Sequence, residues 1–315
     1  MKTIAAIILT YKPDRRLLEL IRRLSRQSVL PDRLIMVNTR SDVGKDILAE
    51  AADLAASAFP ETAFPEVDKA EFDHGGTRDM AARMCGTDLA MFMTMDALPA
   101  DRFLVERLAA AFEDEDTACA YARQIPAQDA TPEEGYGRLK SYPDVSRKKT
   151  AADILQLGIR TFFCSDVCAM YRMKTYLSLG GFFHPAIFNE DMIFAAKAVK
   201  AGMSVWYRAD AKVIHSHNYT GRMQFHRNFD LGVSQADHPE VFAAVSSEKE
   251  GASLVRDTAA YLFRKGKAWR IPLFIYRCVC RYAGYLMGKH YRMLPRALIL
   301  RFTMNPEYWE KELDE

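Results

Sequence analysis

Short apolar runs alternating with helix-spaced ones fill the first hundred residues, and this alternation narrows the fold more than any other feature. Residues 4–10, 34–38 and 89–94 are strand-like in length and composition. Leu17, Leu18, Ile21 and Leu24, and later Leu104, Leu108 and Phe112, recur instead at helical spacing. Strands separated by amphipathic helices form βαβ units, so the expected fold is α/β with a mostly parallel central sheet and helices on both faces. Ligands of such sheets bind beyond the carboxyl ends of the strands. Tyr11 and residues 38–42, 72–78 and 96–99 are therefore where chemistry is expected.

A chain of 315 residues with 49% hydrophobic and 27% charged residues buries a full core and leaves room for an appended unit. Its opening apolar run is cut off at Tyr11, Lys12, Pro13 and Asp14, and reads as a first strand rather than a secretory signal. The six cysteines match no structural zinc spacing, which suggests reduced thiols in a cytoplasmic setting. No apolar stretch reaches the roughly 20 residues that cross a bilayer. Net charge is only +2, yet residues 256–301 hold eleven Lys or Arg against the single acid Asp257. That asymmetry points to an anionic partner for the C-terminal part.

The expected organisation is a main domain over residues 1–225, with halves at 1–123 and 124–225, followed by a basic helical region at 226–315. Residues 124–150 are polar, contain three prolines and read as a lid or linker. A strand is expected at 164–172, an acidic turn entering a helix at 188–201 and a hairpin at 204–215. Helices are expected from about Thr258.

Asp96 follows a buried strand and precedes a turn with Pro99, where its carboxylate suits a hard divalent ion, or equally caps a helix beginning near Asp101. Glu190 and Asp191 open an apolar-periodic helix, a place favoured for acids by the helix dipole as well as by catalysis. His215 and His217 close a strand on one face, placed to ligate a metal or to pack as ordinary histidines. In F-D-H-G-G-T-R-D, which follows an expected third strand, Gly75 and Gly76 would let the backbone approach a ligand, and Arg78 would sit near a helix N-terminus able to meet a diphosphate.

Taken in order, I-I-L-T-Y-K-P-D, V-N-T-R-S-D, F-D-H-G-G-T-R-D, T-M-D-A-L-P, F-N-E-D and V-I-H-S-H-N-Y-T resemble the family 2 glycosyltransferases of Rossmann-like GT-A fold, most closely their bacterial rhamnosyltransferase branch. The resemblance implies that residues 1–225 are a catalytic domain with its donor half at 1–123 and its acceptor half at 124–225, and that Thr10, Tyr11, Asn38 and Ser41 line the nucleotide. Gly76 and Arg78 would meet the diphosphate, Asp96 with His215 or His217 would bind Mn2+ or Mg2+, and Asp191 would deprotonate the acceptor. Where many relatives carry D-x-D, this chain has Thr94, Met95, Asp96. The ion should therefore depend more on the donor's own phosphates.

The implied activity is inverting transfer of a sugar, rhamnose from dTDP-L-rhamnose before a UDP-hexose or UDP-N-acetylhexosamine, onto a cell-surface or lipid-linked glycan. Rival classes are a nucleotidyltransferase, which would want a glycine-rich loop after the first strand where residues 10–14 have no glycine, and a non-catalytic scaffold. Aromatics interleaved with the C-terminal basic residues suit an anionic membrane surface, so a peripheral position on the inner face of the cell membrane is expected and nucleic acid is not.

Overall fold

The computed structural model describes residues 2–243 and 248–312. Its strands are β1 (Ile4–Tyr11), β2 (Arg33–Thr39), β3 (Glu61–Ala63), β4 (Glu66–Val67), β5 (Leu89–Thr94), β6 (Leu98–Pro99), β7 (Thr117–Ile125), β8 (Arg147–Lys149), β9 (Cys168–Arg172) and β10 (Ser204–Ile214). They form one sheet in the order β3-β2-β1-β5-β9-β7-β10-β6, with β4 also on β2 and β8 on β10. β1 runs parallel to β2 and β5, and β7 parallel to β10. Between these two parallel groups β9 is antiparallel to both neighbours. Its leading end, not its trailing end, therefore lies at the edge where the parallel strands finish, and residues 164–167 join that edge.

The catalytic part carries α1 (Arg15–Leu24), α2 (Lys45–Ala58), α3 (His74–Met84), α4 (Leu104–Ala110), α5 (Pro132–Ser141), α6 (Ile154–Leu157), α7 (Met173–Ser178) and α8 (Glu190–Lys200). Side-chain alternation on β1 sends Ile4, Ala6 and Ile8 to one core with α1, α2 and α4, and Ala5 and Ile7 to another with α3 and α8. Local chemistry sets the helix starts. Pro13 interrupts the strand pattern, and Asp14 Oδ1 then accepts the Arg16 N–H at 2.9 Å to begin α1.

Three expectations are corrected. Residues 124–150 are ordered as the end of β7, then α5 and β8, because Pro132 suits a first helical turn and Arg123 and Gln124 bind back to Tyr142. The segment 204–215 is one strand rather than a hairpin: a register shift between Arg208 and Lys212 bends it while it keeps pairing with β7. Before residue 72 there are two short edge strands, β3 and β4, in place of one full strand.

Both expected domain boundaries fall inside elements, 123/124 within β7 and 225/226 within α9 (Gly221–Asp237), which starts where Thr220 Oγ1 accepts the Met223 N–H. After α9 come α10 (Pro239–Phe242), α11 (Glu248–Arg264), α12 (Ile271–Lys289), α13 (Arg296–Phe302) and α14 (Pro306–Glu312). The buried residues of α12 are Gly284 and Gly288, and a Cβ on them would lie 2.1 Å from Phe225 O and 2.0 Å from Phe229 O. Backbone-to-backbone contact with α9 thus replaces side-chain packing. Gly288→Ala should cost about 1–3 kcal/mol through overpacking, in spite of alanine's roughly 1 kcal/mol better helix propensity. Gly251→Ala on α11, where a Cβ meets nothing within 4 Å, should be neutral or stabilising. Urea denaturation of both variants checks this, and equal midpoints would refute the close packing.

Candidate active site

A cavity of about 380 Å³ opens where β2 ends, lined among others by Pro13, Asn38, Arg40, Ser41, Gly44 and Glu66. Gly44 is needed there: its φ is +82°, and a Cβ would lie 2.4 Å from Pro13 O. Asn38 donates from Nδ2 to Glu66 Oε1 at 3.1 Å, and buried Thr10 donates from Oγ1 to Asn38 Oδ1 at 3.2 Å. Of the residues expected around the nucleotide, Asn38 and Ser41 line this cavity. Thr10 lies behind it and orients Asn38, and Tyr11 is half-buried at the end of β1.

The second group surrounds Asp96. The turn after β5 places its carboxylate 3.7 Å from His215 Nε2 and 3.4 Å from His217 Nε2, so the one-face geometry expected of the two histidines is present. Asp96 is not a cap of α4, whose N-cap is Phe103. The ligand atoms of Asp96, His215 and His217 all lie within 4.8 Å of one another. Ligands of a Mg2+-sized ion stand about 2.0–2.1 Å from it, hence roughly 3–4 Å apart, so the three residues fit a divalent ion. Burial pushes His215 down to about 3 and also lowers His217, leaving neutral imidazoles with a lone pair to offer. Arg16 Nη1 stands 3.6 Å from Asp96 Oδ2 and is a further cation of the site.

The third group is acidic. Asp191 accepts the Asp166 N–H at 3.1 Å and its neighbour Met192 N–H at 2.7 Å. Burial, then the adjacent Glu190, pushes its carboxyl up to about 7, against those two bonds and Arg78. Asp166, at the leading end of β9, is raised as well, by burial and then by Asp191. Tyr171 Oη donates to Asp166 Oδ1 at 2.6 Å.

Arg78 is the cation of this cluster. Its Nη1 lies 3.1 Å from Glu190 Oε1 and its Nε 3.3 Å from Asp166 Oδ2. Burial opposes its charge, but Glu190, Asp166 and Asp191 outweigh burial and hold it protonated. Its guanidinium is thus committed to the carboxylates that flank Asp191, which differs from the expected diphosphate contact. Gly76 differs too. Its N–H is bonded by Asp73 Oδ1 at 2.7 Å as a helix cap, and at Gly75 a Cβ would lie 1.9 Å from Phe183 O, so the glycine pair serves close packing of the 183–186 segment.

Four contributors escaped sequence reasoning. Glu66 lies on a two-residue strand without periodicity. Asp166 precedes a strand whose direction the sequence does not reveal. Gln124 closes β7 beside His215, and Arg227 sits on α9, its guanidinium 4.6 Å from the Phe188 ring and 5.9 Å from that of Tyr219. Tyr219 in turn stacks on His217 at 4.9 Å, so Arg227 stands between the histidines and the acidic loop. It forms no ion pair among the described residues.

Residues 5–179 match the model of the family described as Glycosyl transferase family 2. The chain is 36% identical over 310 residues to the O-antigen chain rhamnosyltransferase RfbN of Salmonella typhimurium, with 97% of this chain and 96% of that protein covered. It is 36% identical over 247 residues to the O-antigen chain rhamnosyltransferase WbaN of Salmonella anatum, with 77% and 78% covered. Among solved structures, the mannosyltransferase PcManGT from Pyrobaculum calidifontis in complex with GDP-Man and Mn2+ superposes with a TM-score of 0.61 at 15% identity, covering 91% of this chain and 87% of that one. TarS from S. aureus superposes at 0.51 with 15% identity, covering 92% and 91%. At such identities the likeness carries the fold, the expected GT-A arrangement. The family match over residues 5–179 and the 36% identity to one curated relative across 97% of the chain agree with the ordered motifs: the chain belongs to glycosyl transferase family 2 and is a glycosyltransferase.

Proposed function

We propose that the protein transfers L-rhamnose from dTDP-L-rhamnose to a growing O-antigen type polysaccharide, inverting the anomeric centre. The carrying observation is the convergence of the Asp96–His215–His217 group and the Asp191 carboxylate on the single sheet edge beside the nucleotide-sized cavity. The identity of both curated relatives as O-antigen chain rhamnosyltransferases supports the choice of sugar. Screening nucleotide sugars for thermal stabilisation tests it. dTDP-L-rhamnose should raise the melting temperature and be consumed, whereas a response confined to UDP-hexoses would move the donor assignment.

In this reading the nucleoside occupies the cavity at Asn38, Ser41 and Glu66, and its diphosphate lies towards Asp96. Asp96, His215 and His217 would hold a divalent ion that offsets charge on the leaving diphosphate. The mixed oxygen and imidazole set favours Mn2+ over Mg2+. Asp191 accepts the acceptor hydroxyl's proton from the face opposite the leaving group. Burial and then Glu190, countered in part by Arg78, hold that base's carboxyl up to about 7.

Arg227 takes the diphosphate role first expected of Arg78, because its guanidinium faces the gap between histidines and acidic loop without an acid to neutralise it. Arg227→Ala should lower kcat/KM by about 10²–10³, the range for removing one pre-organised stabiliser of developing charge. It should also weaken binding of the nucleoside diphosphate product. Calorimetry with dTDP would show unchanged affinity if Arg227 only packs on Phe188.

No helix among the described residues is long and apolar enough to cross a membrane. A peripheral seat on the inner membrane face is proposed instead, since α11, α12 and the turn between them expose Phe263, Trp269, Tyr276, Val279 and Tyr282 among basic side chains. Not all the basic residues serve it: Arg270 and Arg277 turn inward to Glu133, and Arg292 pairs with Asp237. The protein should float with anionic liposomes at low salt, and Trp269→Glu with Tyr282→Glu should abolish this. Sedimentation of the wild type away from the vesicles would remove the proposal.

A further inference from the structure

Gln124 is almost completely buried at the end of β7, and its side-chain amide is bonded on every side. Arg138 Nη1 donates to Gln124 Oε1 at 2.5 Å. A guanidinium has only donors, so this contact fixes which end of the amide is oxygen. The other end agrees: Nε2 donates to Tyr142 Oη at 2.6 Å and to Ser165 Oγ at 3.1 Å. His215 Nδ1 lies 3.0 Å from the same Oε1. With the oxygen assigned, Nδ1 must be the protonated nitrogen, and the lone pair of Nε2 is left facing Asp96 at 3.7 Å. Holding a histidine by its far nitrogen is how protein matrices orient a metal-binding imidazole and raise its donor strength.

Arg138, which shares Gln124 Oε1 with His215, is itself anchored. Arg138 lies on α5, where Glu134 Oε1 accepts from its Nη2 at 2.6 Å. The same helix carries Glu133, which accepts from Arg270 Nε and Nη2 at 2.9 Å each and from Arg277 Nη1 at 3.1 Å. Tyr136 stacks on Tyr261 of α11 at 4.4 Å. α5 is therefore pinned to the C-terminal helices on one side and to Gln124 on the other.

We propose that Gln124, oriented by Arg138 of α5, is a positioning residue that locks His215 in the tautomer and direction needed to bind the divalent ion through Nε2. The proposal rests on the metal role given above to Asp96 and His215. It adds that the polar segment 124–150 acts on the metal site from behind, through a histidine, and that the C-terminal helices hold this segment in place.

The test is Mn2+ binding to the full-length protein in the presence of dTDP, followed by calorimetry and by the loss of free Mn2+ signal in electron paramagnetic resonance. Gln124→Leu should weaken Mn2+ binding by about 10–100-fold, the range for loss of an outer hydrogen-bond partner of a ligand histidine. Binding of dTDP without metal, which uses the Asn38 cavity, should change less than about twofold. Gln124→Glu keeps an acceptor opposite Nδ1 and should restore Mn2+ affinity to within about threefold of wild type, an outcome a merely structural role would not give. Arg138→Met should fall between, and is the fallback if Gln124→Leu does not fold.

His215→Ala separates the two readings. If it abolishes Mn2+ binding while Gln124→Leu and Arg138→Met bind as wild type, the positioning role is wrong and the metal site stands. If His215→Ala also binds Mn2+ normally, the metal role of His215 is wrong and this inference falls with it.

Discussion

Asp191→Asn should lower kcat by about 10²–10⁴-fold, the contribution of a positioned general base, while donor affinity should stay near wild type. Asparagine keeps one acceptor for the Asp166 or Met192 N–H and loses the other, a stability cost of about 1 kcal/mol that removing one charge beside Glu190 and Asp166 offsets in part. The loss is therefore catalytic. The pH profile supplies the second half of the result. A base is competent only when deprotonated, and burial with Glu190 lifts Asp191 to about 7. The wild-type rate should climb roughly tenfold per unit below that value and level off above it. In Asp191→Asn this limb disappears. A variant that keeps both rate and limb would assign the base elsewhere, with Asp166 as the next carboxylate to replace.

Asp96→Ala should show the second large effect. It removes the only carboxylate from a set completed by two imidazoles, and leaves Arg16, 3.6 Å from Asp96, with its closer partner Asp14 at 2.7 Å. Affinity for dTDP in the presence of Mn2+ should fall by at least the 10–100-fold that losing a mere outer partner costs. Affinity without metal should be nearly unchanged or should rise, since a negative charge near the diphosphate is gone. Calorimetric titrations with and without Mn2+ read both numbers. Equal metal dependence in wild type and variant would confine Asp96 to its turn.

Much of the fold was legible because β1, α1, β2, β5 and α4 write their periodicity into the chain. Ile4, Ile8, Leu17, Ile21 and Leu104 appear in the core where alternation and helical spacing put them. The candidate site was legible at the ends of several strands, at Asn38, Asp96 and His215. Arg78 and Gly75 were harder because the same loop sequence suits ligand binding and tight packing. Only the position of Phe183 and Glu190, over a hundred residues on, decides between them. Gln124 and Arg227 carried no signal, since one is an ordinary polar residue in a polar stretch and the other one arginine among many. Residues 204–215 misled for a different reason: a bulge within one long strand leaves the same local break in pattern as a turn.

The most direct test of the account is the anomeric configuration of the product, read by proton nuclear magnetic resonance after transfer from dTDP-L-rhamnose with Mn2+ and again with a chelator. One base at Asp191 and an ion at Asp96, His215 and His217 predict a product of inverted configuration, formed with Mn2+ and suppressed by chelation. A product that retains the donor's configuration, or full transfer in the chelator, would contradict it.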